Sequence, residues 1–555
     1  MKALCFAFLL AVVAVTAAAQ EVSESIEVRV VNVDVVVRDR AGKPVTGLTK
    51  NDFEIYENGQ KREITNLYEV RAPAVAPAAA ASAEAAPPPA TPTATPVEIR
   101  PRNIVIFVDN YSIEPFRRDK VLQSLDKFVD QLGPQDKVML VLETQKTTVV
   151  TPFTSDRNAI RAGVEMIKKS GSSYNRTTSL DHLKQTVNEY IAIAKGGRLS
   201  WRDAYREATS DVESHVEEEI FNSRNTLAAL GQVTAALAGL EGKNVVIFAG
   251  AHLPERPGAE LYQWLYNAFV TYMAGLTFSS ESVSGKTGSM QHYSIEEAAK
   301  QASANGVALY MIDAADSRDA GSAEATAPID HAEQFTAFTN TAMAYQTLAR
   351  ISGGLAITNT TNFDSAFQTL VNDLNSYYSL GFKPADNATA GLRTIVVKMK
   401  NPEYRFRARE TYIPTTKPVL DEMSTRVIAN LYTTDARNAW EISVQPGPPQ
   451  KEGAEYRVPF EVTMAPTITL EAKDGNLVGN FVVFVVVGNA ENTSKVIRNA
   501  HAVKVPVDAE DDFREKKITY KATITMNPGD NILSVAVVDQ ASKMAGFARA
   551  KVALP

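Results

Sequence analysis

The sequence predicts a multidomain protein with a central doubly wound, mostly parallel α/β sheet, a small β domain before it and a β-sandwich after it. Apolar strands alternate with amphipathic helices through the middle of the chain, which is typical of helices covering both faces of a parallel sheet. Short strands separated by Gly, Pro, Asn and Asp follow residue 412, as in a sandwich. With 555 residues, 45% of them hydrophobic, the chain can bury several cores. The predicted division is a signal peptide at residues 1–19, an N-terminal β domain at 21–70, a linker at 71–98, the α/β domain at 99–415 and the β-sandwich at 419–555.

The first twenty residues have the pattern of a secretory signal. Lys2 precedes an apolar run at residues 3–15 and small residues at 16–19, and we expect cleavage near Ala19. The apolar run is short for a bilayer, so we expect an exported protein, periplasmic or extracellular, without a transmembrane segment after cleavage. An uncleaved membrane anchor is the alternative. Cys5, the single cysteine, lies in this segment, which excludes disulfides and thiol nucleophiles from the mature chain.

The N-terminal β domain is predicted from alternating polarity. Residues 25–37, SIEVRVVNVDVVV, alternate and then become continuously apolar, as a long strand does. Two further strands surround Asn58–Gly59, a dipeptide typical of a type I′ hairpin. Residues 72–97 are almost entirely Ala, Pro, Ser, Thr and Val, which predicts a semi-stiff linker rather than a core.

The central domain begins with RNIVIFVDN at residues 102–110, an apolar strand of the kind buried in parallel sheets, with Asp109 at its carboxyl end. An amphipathic helix at 117–132 and an apolar strand at 137–143 follow. Two later apolar strands, NVVIFAG and GVALYMID, continue the alternation. Helical insertions are predicted at about residues 182–221 and 253–300.

The C-terminal segment contains four long strand patterns: EYRVPFEVTM, NFVVFVVVG, KITYKATITM and NILSVAVVDQ. The turn at residues 527–530, Asn-Pro-Gly-Asp, separates the last two patterns. Such residues favour tight turns, so we expect an antiparallel hairpin at this position.

Three motifs together carry a family resemblance. The first is Gly47–Leu48 followed by Asp52–Phe53, and the second is the strand RNIVIFVDN. The third combines the Gly353–Gly354 turn with the Tyr-Tyr-x-Leu-Gly-Phe strand at residues 377–382. The chain resembles the exported proteins related to von Willebrand factor A (VWA) that are abundant in Acidobacteria. The resemblance implies a VWA-like α/β domain, whereas fold alone implies no activity.

The resemblance also implies where a metal would bind. VWA domains that bind ligands often hold Mg²⁺ through Asp-x-Ser-x-Ser after the first strand, a later Thr and an Asp after the fourth strand. Hard cations prefer such oxygen ligands, and a partner's carboxylate can complete the shell. In this sequence Asp109 keeps the first position, but Tyr111 and Ile113 occupy the two serine positions. Ser112 lies one position away, where its hydroxyl would point elsewhere.

The remaining metal positions are also incomplete. Thr177 or Thr178 can supply the loop threonine, whereas Gly250 falls where the second Asp is expected. We therefore expect a degenerate site and no resident cofactor, with Asp109 and Thr177 as ligands only if a cation such as Mg²⁺ is bound. Otherwise Asp109 caps its own exit loop by accepting backbone N–H groups, or the rim binds a ligand without metal.

A metal-free binding surface would draw on the same loops and on an aromatic helix. The aromatic side chains of residues 262–272 are expected to pack mostly against the sheet, with a remaining exposed patch. The candidate ligand-binding residues are Asp109, Asn110, Ser112, Thr177, Thr178, Tyr262 and Trp264.

Catalytic motifs are not evident in the sequence. The six histidines show no His-Glu-x-x-His pairing, and His215 precedes a Val-Glu-Glu-Glu run that predicts a solvated helix face. Gly-Lys-Thr at residues 285–287 lacks the leading glycine and preceding strand of a phosphate loop. No Gly-x-Ser-x-Gly elbow occurs. We expect a protein that is not an enzyme.

Three functions remain open on the sequence alone. The first is an exported adhesion, protein-binding or scaffolding protein that contacts another protein or an envelope component. The second is a purely structural envelope protein, and the third a hydrolase of unknown type. Lys and Arg total 57 against 64 Asp and Glu, a balance that supplies no field for phosphate backbones, so nucleic acid is not an expected partner.

Overall fold

The computed structural model describes most of the chain beyond residue 29. The predicted signal peptide, nearly all of the linker, the Gly-Lys-Thr loop and the side chains of Thr177 and Thr178 lie outside the described residues. The described residues are 30–71, 97–98, 101–144, 146–173, 176–238, 240, 242–272, 288–315, 331–385, 392–413, 419–432, 440–473, 475–489, 493–542 and 544–555.

The elements follow one another as strands, then alternating strands and helices, then strands. The helices are α1 (Pro115–Asp130), α2 (Arg157–Lys169), α3 (Arg176–Lys195), α4 (Trp201–Leu237), α5 (Ala259–Phe269), α6 (Gly288–Ala304), α7 (His331–Ser352), α8 (Phe363–Leu374), α9 (Val419–Ala429) and α10 (Glu510–Arg514). The strands are β1 (Val31–Arg38), β2 (Phe53–Glu57), β3 (Gln60–Arg62), β4 (Ile64–Arg71), β5 (Val97–Glu98), β6 (Arg102–Asp109), β7 (Lys137–Glu143), β8 (Thr147–Thr154), β9 (Lys243–Gly250), β10 (Val307–Asp313), β11 (Ala356–Ile357), β12 (Ser376–Phe382), β13 (Arg393–Met399), β14 (Arg405–Ala408), β15 (Thr411–Tyr412), β16 (Ile442–Pro446), β17 (Gln450–Glu452), β18 (Glu455–Met464), β19 (Glu471–Lys473), β20 (Asn476–Asn489), β21 (Ile497–Pro506), β22 (Ile518–Met526), β23 (Gly529–Asp539) and β24 (Ala545–Leu554).

The central sheet has the strand order β11-β10-β9-β6-β7-β8. Its neighbouring strands run parallel except for the edge strand β8, which is antiparallel to β7. Helices α1, α2 and α8 pack on one face, and α6, α7 and the end of α4 pack on the other. Because both faces are covered, every residue of β6 is buried, which explains its continuous apolar sequence. The predicted doubly wound, mostly parallel sheet is confirmed.

The N-terminal strands share their sheets with strands that follow the central domain. Strand β12 lies between β1 and β4, and β13 pairs with β2. This differs from the predicted division at residue 70, which assigned these partners to separate domains. Periodicity identifies a strand but not a partner that lies more than 300 residues away in the chain. The predicted hairpin turn does form, with Asn58 at φ 46° and Gly59 at φ 80°.

The two sheets formed by β1–β5 and β12–β15, here called the β module, contact the amino ends of the central strands. Lys243, the first residue of β9, places Nζ 3.4 Å from Asp34 Oδ2 and 3.4 Å from the centre of the Tyr377 ring. The Asp373 carboxylate accepts hydrogen bonds from Arg38, at 3.1 Å, and from Arg407. The amino ends of the central strands are therefore covered, and the loops at their carboxyl ends are left to form a site.

The first predicted insertion is a helical hairpin made by α3 and the 37-residue helix α4. The Ser200 hydroxyl caps α4 by accepting a hydrogen bond from the Asp203 N–H. The hairpin packs with α5 around its own apolar core, whereas the last turns of α4 pack on the central sheet. Helix α4 thus extends from the insertion onto the sheet. Among the described residues, no helix is long and apolar enough to span a membrane.

The C-terminal segment is the predicted β-sandwich. One sheet contains β16, β17, β18 and β22, and the other contains β19, β20, β21, β23 and β24. Strand β20 buries one face against the opposite sheet and its other face against α9, which explains its apolar run FVVFVVV. The expected hairpin at residues 527–530 is wrong. Strand β22 pairs with β18 and β23 with β20 and β24, so this turn crosses between the sheets.

Candidate functional site

The candidate site lies where the strand order of the central sheet reverses. The chain leaves β6 toward β7 on one side, whereas β9 lies on the other side. Open α/β sheets bind ligands in the crevice at the carboxyl ends of such strands. A small cavity of about 40 Å³, here called the edge cavity, lies at this point beneath α4. Its lining residues are Asp109, Tyr111, Ser112, Ser179, His215, Glu218, Glu219, Asn222, Ser223, Thr226 and His252.

Asp109 is buried at the bottom of this cavity. Its Oδ1 accepts hydrogen bonds from the backbone N–H groups of Tyr111 and Ser112, each at 3.2 Å. The pKa of Asp109 is raised to about 6. Burial is the main cause and the neighbouring Glu143 adds to it, whereas the hydrogen bonds with Ser112 lower the pKa. The carboxylate therefore holds its own exit loop in place, which is the capping arrangement that the sequence left open.

Ser112 links the exit loops of β6 and β9. Its Oγ accepts a hydrogen bond of 2.9 Å from the Ala251 N–H and lies 3.5 Å from the Asp109 carbonyl oxygen, to which it donates. The hydroxyl is thus turned toward the β9 loop and is occupied by backbone groups. This contact fixes the loop that begins at the carboxyl end of β9.

Gly250, at the position expected for a second aspartate, offers no ligand and has no room for a side chain. A Cβ atom on Gly250 would lie 2.5 Å from Cε1 of Phe248 and 2.9 Å from Oη of Tyr345. Tyr345 is fully buried, and its hydroxyl has no hydrogen-bond partner among the described residues. Burial raises the pKa of Tyr345 well above its ordinary value, and Asp313 and Asp109 add to the effect. Two aromatic rings therefore fill the place of the missing carboxylate.

Two buried arginines of α1 hold the surrounding loops. Arg117 donates to the carbonyl oxygens of Ala314, at 2.9 Å, and Thr360, at 2.8 Å. Arg118 donates to Asn110 Oδ1 at 3.0 Å and to the Lys168 carbonyl at 2.9 Å. Loop oxygens that could face a cation are thus bonded to guanidinium groups. Asn110, a predicted ligand-binding residue, stabilises the loops from within.

Two further acids end the neighbouring strands. Glu143 closes β7 and accepts a hydrogen bond of 2.6 Å from the Thr147 hydroxyl. Asp313 closes β10 and accepts one of 2.9 Å from the Ala315 N–H. Burial raises the pKa of Asp313 to about 6, against the lowering effect of the Ala315 N–H and of Arg117. Both acids, like Asp109, are bonded to groups of their own loops.

The prediction that the aromatic side chains of this helix pack mostly against the sheet is wrong for Tyr262 and Trp264. Tyr262 is buried in the core of the insertion and Trp264 is half-buried beside it, with Lys184 Nζ 5.6 Å from the centre of its ring. Both side chains pack against α3 and α4 rather than against the central strands. Tyr262 is therefore not available as a contact residue, and neither residue lines the edge cavity.

Four residues that were not among the predicted site residues meet at the wall of the edge cavity. His215, Glu219, His252 and Glu260, here called the His/Glu cluster, come from α4, the β9 exit loop and α5. His252 Nε2 lies 3.2 Å from Glu219 Oε1, and His215 Nε2 lies 4.0 Å from the same oxygen. The His215 side chain is only 11% exposed, so the prediction of a solvated face is wrong at this residue.

Two sequence signals point to this cluster in retrospect. His215 and Glu219 are four residues apart, which places them on the same face of a helix. His252 follows a buried parallel strand by two residues, at the edge where such sheets bind ligands. Neither signal shows that α4 crosses above that strand end.

This chain is distantly similar to several solved structures, whereas no family model and no curated protein matches it. An aerotolerance-related membrane protein from Bacteroides fragilis NCTC 9343 is 14% identical, with a TM-score of 0.26 over 49% of this chain and 98% of its own. A von Willebrand factor type A structure from Catenulispora acidiphila is 9% identical, with a TM-score of 0.22, and the match covers 82% of this chain and 67% of the other. The pilus adhesin SpaC from Lactobacillus rhamnosus GG is 8% identical, with a TM-score of 0.26 and coverage of 92% and 61%. At such scores the strand order of the chain itself, and not these likenesses, defines its fold.

Proposed function

We propose that this chain is an exported, non-catalytic binding protein of the acidobacterial VWA-related type, which contacts another protein or an envelope component at the edge cavity. The observation that carries the proposal is the position of the cavity at the reversal point of a doubly wound sheet. A volume of about 40 Å³ suits the end of a single partner side chain.

The cavity is held in shape by contacts between its floor and its wall. Asn222 of α4 donates a hydrogen bond of 3.0 Å to the Tyr111 hydroxyl, which ties α4 to the β6 loop. Ser112 ties the β6 loop to the β9 loop through Ala251. A site that is already formed loses little conformational entropy when a ligand binds, and this favours recognition.

The arrangement favours binding over covalent chemistry. The Ser112 hydroxyl accepts a hydrogen bond from the Ala251 N–H at 2.9 Å and lies 3.5 Å from the Asp109 carbonyl oxygen, so it is engaged in holding the loops, whereas an activated nucleophile is oriented by a general base toward the substrate. His252 is hydrogen-bonded to Glu219, so this ring nitrogen is engaged by a carboxylate rather than by a serine hydroxyl. A hydrolase is the third alternative, and turnover of ester, peptide or glycoside substrates would favour it instead.

Site-specific photo-crosslinking tests the proposal against a purely structural role. A photoreactive amino acid replaces the exposed Glu218 at the edge cavity, and a matched control replaces the exposed Glu165 of α2 on the opposite face. In the native envelope we expect one dominant adduct from position 218 that position 165 does not give. The adduct should disappear when Ser223→Leu fills the cavity. Equal ladders of weak adducts from both positions would instead support a structural protein.

A further inference from the structure

The His/Glu cluster combines the side chains that first-row transition metals prefer. We propose that His215, Glu219, His252 and Glu260 bind a divalent transition metal ion of the zinc type at the wall of the edge cavity. Two imidazole nitrogens and two carboxylate oxygens suit Zn²⁺, whereas Mg²⁺ and Ca²⁺ require shells made of oxygen. The site is separate from the Asp109 position and does not depend on what the edge cavity binds.

The distances are close to those of a metal shell. One ligand atom from each of Glu219, His252 and Glu260 lies within 4.8 Å of the other two. In a tetrahedral zinc site with bonds of about 2.0–2.2 Å, ligand atoms are about 3.3–3.6 Å apart. The 3.2 Å separation of His252 Nε2 and Glu219 Oε1 already fits, and His215 Nε2, 4.0 Å from the same Glu219 oxygen, is the fourth ligand atom. Small rotations of these side chains would therefore close the shell.

The charges of the cluster favour a cation. Glu219 and Glu260 are both buried, at 7% and 2% exposure. Two buried carboxylates close together repel each other, and a divalent ion would neutralise both. The His215 Nε2 atom is buried and has no hydrogen-bond partner among the described residues. A buried polar atom of this kind requires an explanation, and coordination of a metal ion supplies one.

The surrounding chain fixes the ligands in the way that metal sites require. The Gly258 N–H donates a hydrogen bond of 3.2 Å to Glu219 Oε2, which orients the carboxylate. Gly258 has φ 73°, and a Cβ atom there would lie 2.2 Å from Cγ2 of Val216. Glycine thus lets the start of α5 approach α4 closely, and this approach brings Glu260 to the cluster. His252 is placed by the bond between Ser112 and its neighbour Ala251.

A metal-free network is the competing explanation. In that case the hydrogen-bonded pair of Glu219 and His252, at 3.2 Å, is part of a network that stabilises the junction of α4 with the β9 loop. The two explanations differ in one property: only a metal site binds zinc with a fixed stoichiometry through these four residues.

Calorimetric titration of the full mature chain, without a histidine tag and after chelator treatment, tests the proposal with Zn²⁺. We expect one ion per chain with micromolar or tighter affinity, and no comparable binding of Mg²⁺. Glu219→Gln and His252→Gln should each weaken binding about tenfold or more. Glu218→Gln, on the same helix, and His182→Gln, an exposed histidine, are the matched controls and should bind like the wild type. The proposal would be overturned if the wild type did not bind zinc, or if both cluster variants bound zinc as tightly as the wild type does.

A second measurement needs no substitution and so does not depend on folding of the variants. X-ray absorption at the zinc edge is measured on the wild-type chain loaded with one equivalent of Zn²⁺. The spectrum should show scattering from two imidazole rings together with oxygen neighbours. If zinc binds but its shell contains no imidazole, the ion is held elsewhere and the assignment is wrong.

Discussion

Gly250→Asp tests why the Asp109 site differs from a complete metal site. If only a ligand were missing, this substitution would restore one. The structure predicts the opposite, because the Cβ atom would lie 2.5 and 2.8 Å from two carbons of the Phe248 ring and 2.9 Å from Tyr345 Oη. We expect the variant to lose stability without gaining affinity for Mg²⁺.

The magnitude follows from two separate effects. Steric overpacking alone, as in Gly250→Ala, costs about 1–3 kcal/mol. The Asp side chain adds a buried charge near Asp109 and Asp313, and an uncompensated buried charge costs about 3–5 kcal/mol. For a domain of this size each kcal/mol lowers the Tm by roughly 2–4 °C. We therefore expect Gly250→Ala to lower the Tm by roughly 2–12 °C and Gly250→Asp to lower it further.

Scanning calorimetry with and without millimolar Mg²⁺ measures both quantities, because it can separate the transitions of a multidomain chain. Gly231→Ala in α4 is the matched control, since its Cβ atom meets only Gln301 Oε1 at 3.4 Å. This control should be neutral or slightly stabilising, as alanine is favoured over glycine in helices. A Gly250→Asp variant that melts like the wild type and gains a saturable Mg²⁺ shift would refute the reasoning.

Three further predictions concern the same loops. First, neither Mg²⁺ nor Ca²⁺ should shift the Tm of the wild type, because the oxygen ligands around Asp109 are bonded within their own loops. Second, Asp109→Asn should become more stable relative to the wild type as the pH rises from about 4 to about 7. The pKa of Asp109 is about 6 in the folded state, against 3.8 for the free carboxyl. The protonated carboxyl therefore stabilises the wild type at low pH, and the free energy of unfolding falls by on the order of 3 kcal/mol as the pH rises through about 6. Third, Ser112→Ala should cost about 1–3 kcal/mol, because the Ala251 N–H loses its acceptor, and should show as a lower Tm.

Each of these predictions has a clear contrary result. A saturable Mg²⁺ or Ca²⁺ shift that Asp109→Ala abolishes would establish an occupied cation site. If the Tm difference between Asp109→Asn and the wild type were constant from pH 4 to pH 7, the carboxyl would not titrate in this range. A Ser112→Ala variant with wild-type Tm, compared with Ser214→Ala on the exposed face of α4, would mean that the loop contact adds nothing.

The sequence predicts well those features that depend on local chemistry. The buried strand β6 is recognisable because both faces of a parallel strand must be apolar. The hairpin at Asn58–Gly59 follows from the positive φ angles that these residues tolerate. Ile113 and Gly250 have no side-chain oxygen in any fold, so the expectation of a degenerate metal site rests on the sequence and stays a prediction.

Features that depend on distant partners could not be predicted from the sequence. Val31 pairs with Phe382, and nothing in either strand specifies the other. The turn at residues 527–530 has the same local chemistry whether it joins neighbouring strands or crosses between sheets. The His/Glu cluster is a third example. Its members are separated by up to 45 residues in the chain, from His215 to Glu260, and they meet only because α4 lies over the end of β9.

The position of α4 also connects the incomplete metal site to the cluster above it. In a site that uses Asp109 as a ligand, a partner's carboxylate must reach the cation directly. Here Asp109 is buried below α4, and the bond between Asn222 and Tyr111 holds the helix over the loop. A large partner surface therefore cannot touch Asp109. Under the proposed function, contact passes through the residues that α4 presents at the edge cavity, so Asn222→Ala should weaken recognition more than Asp109→Asn does.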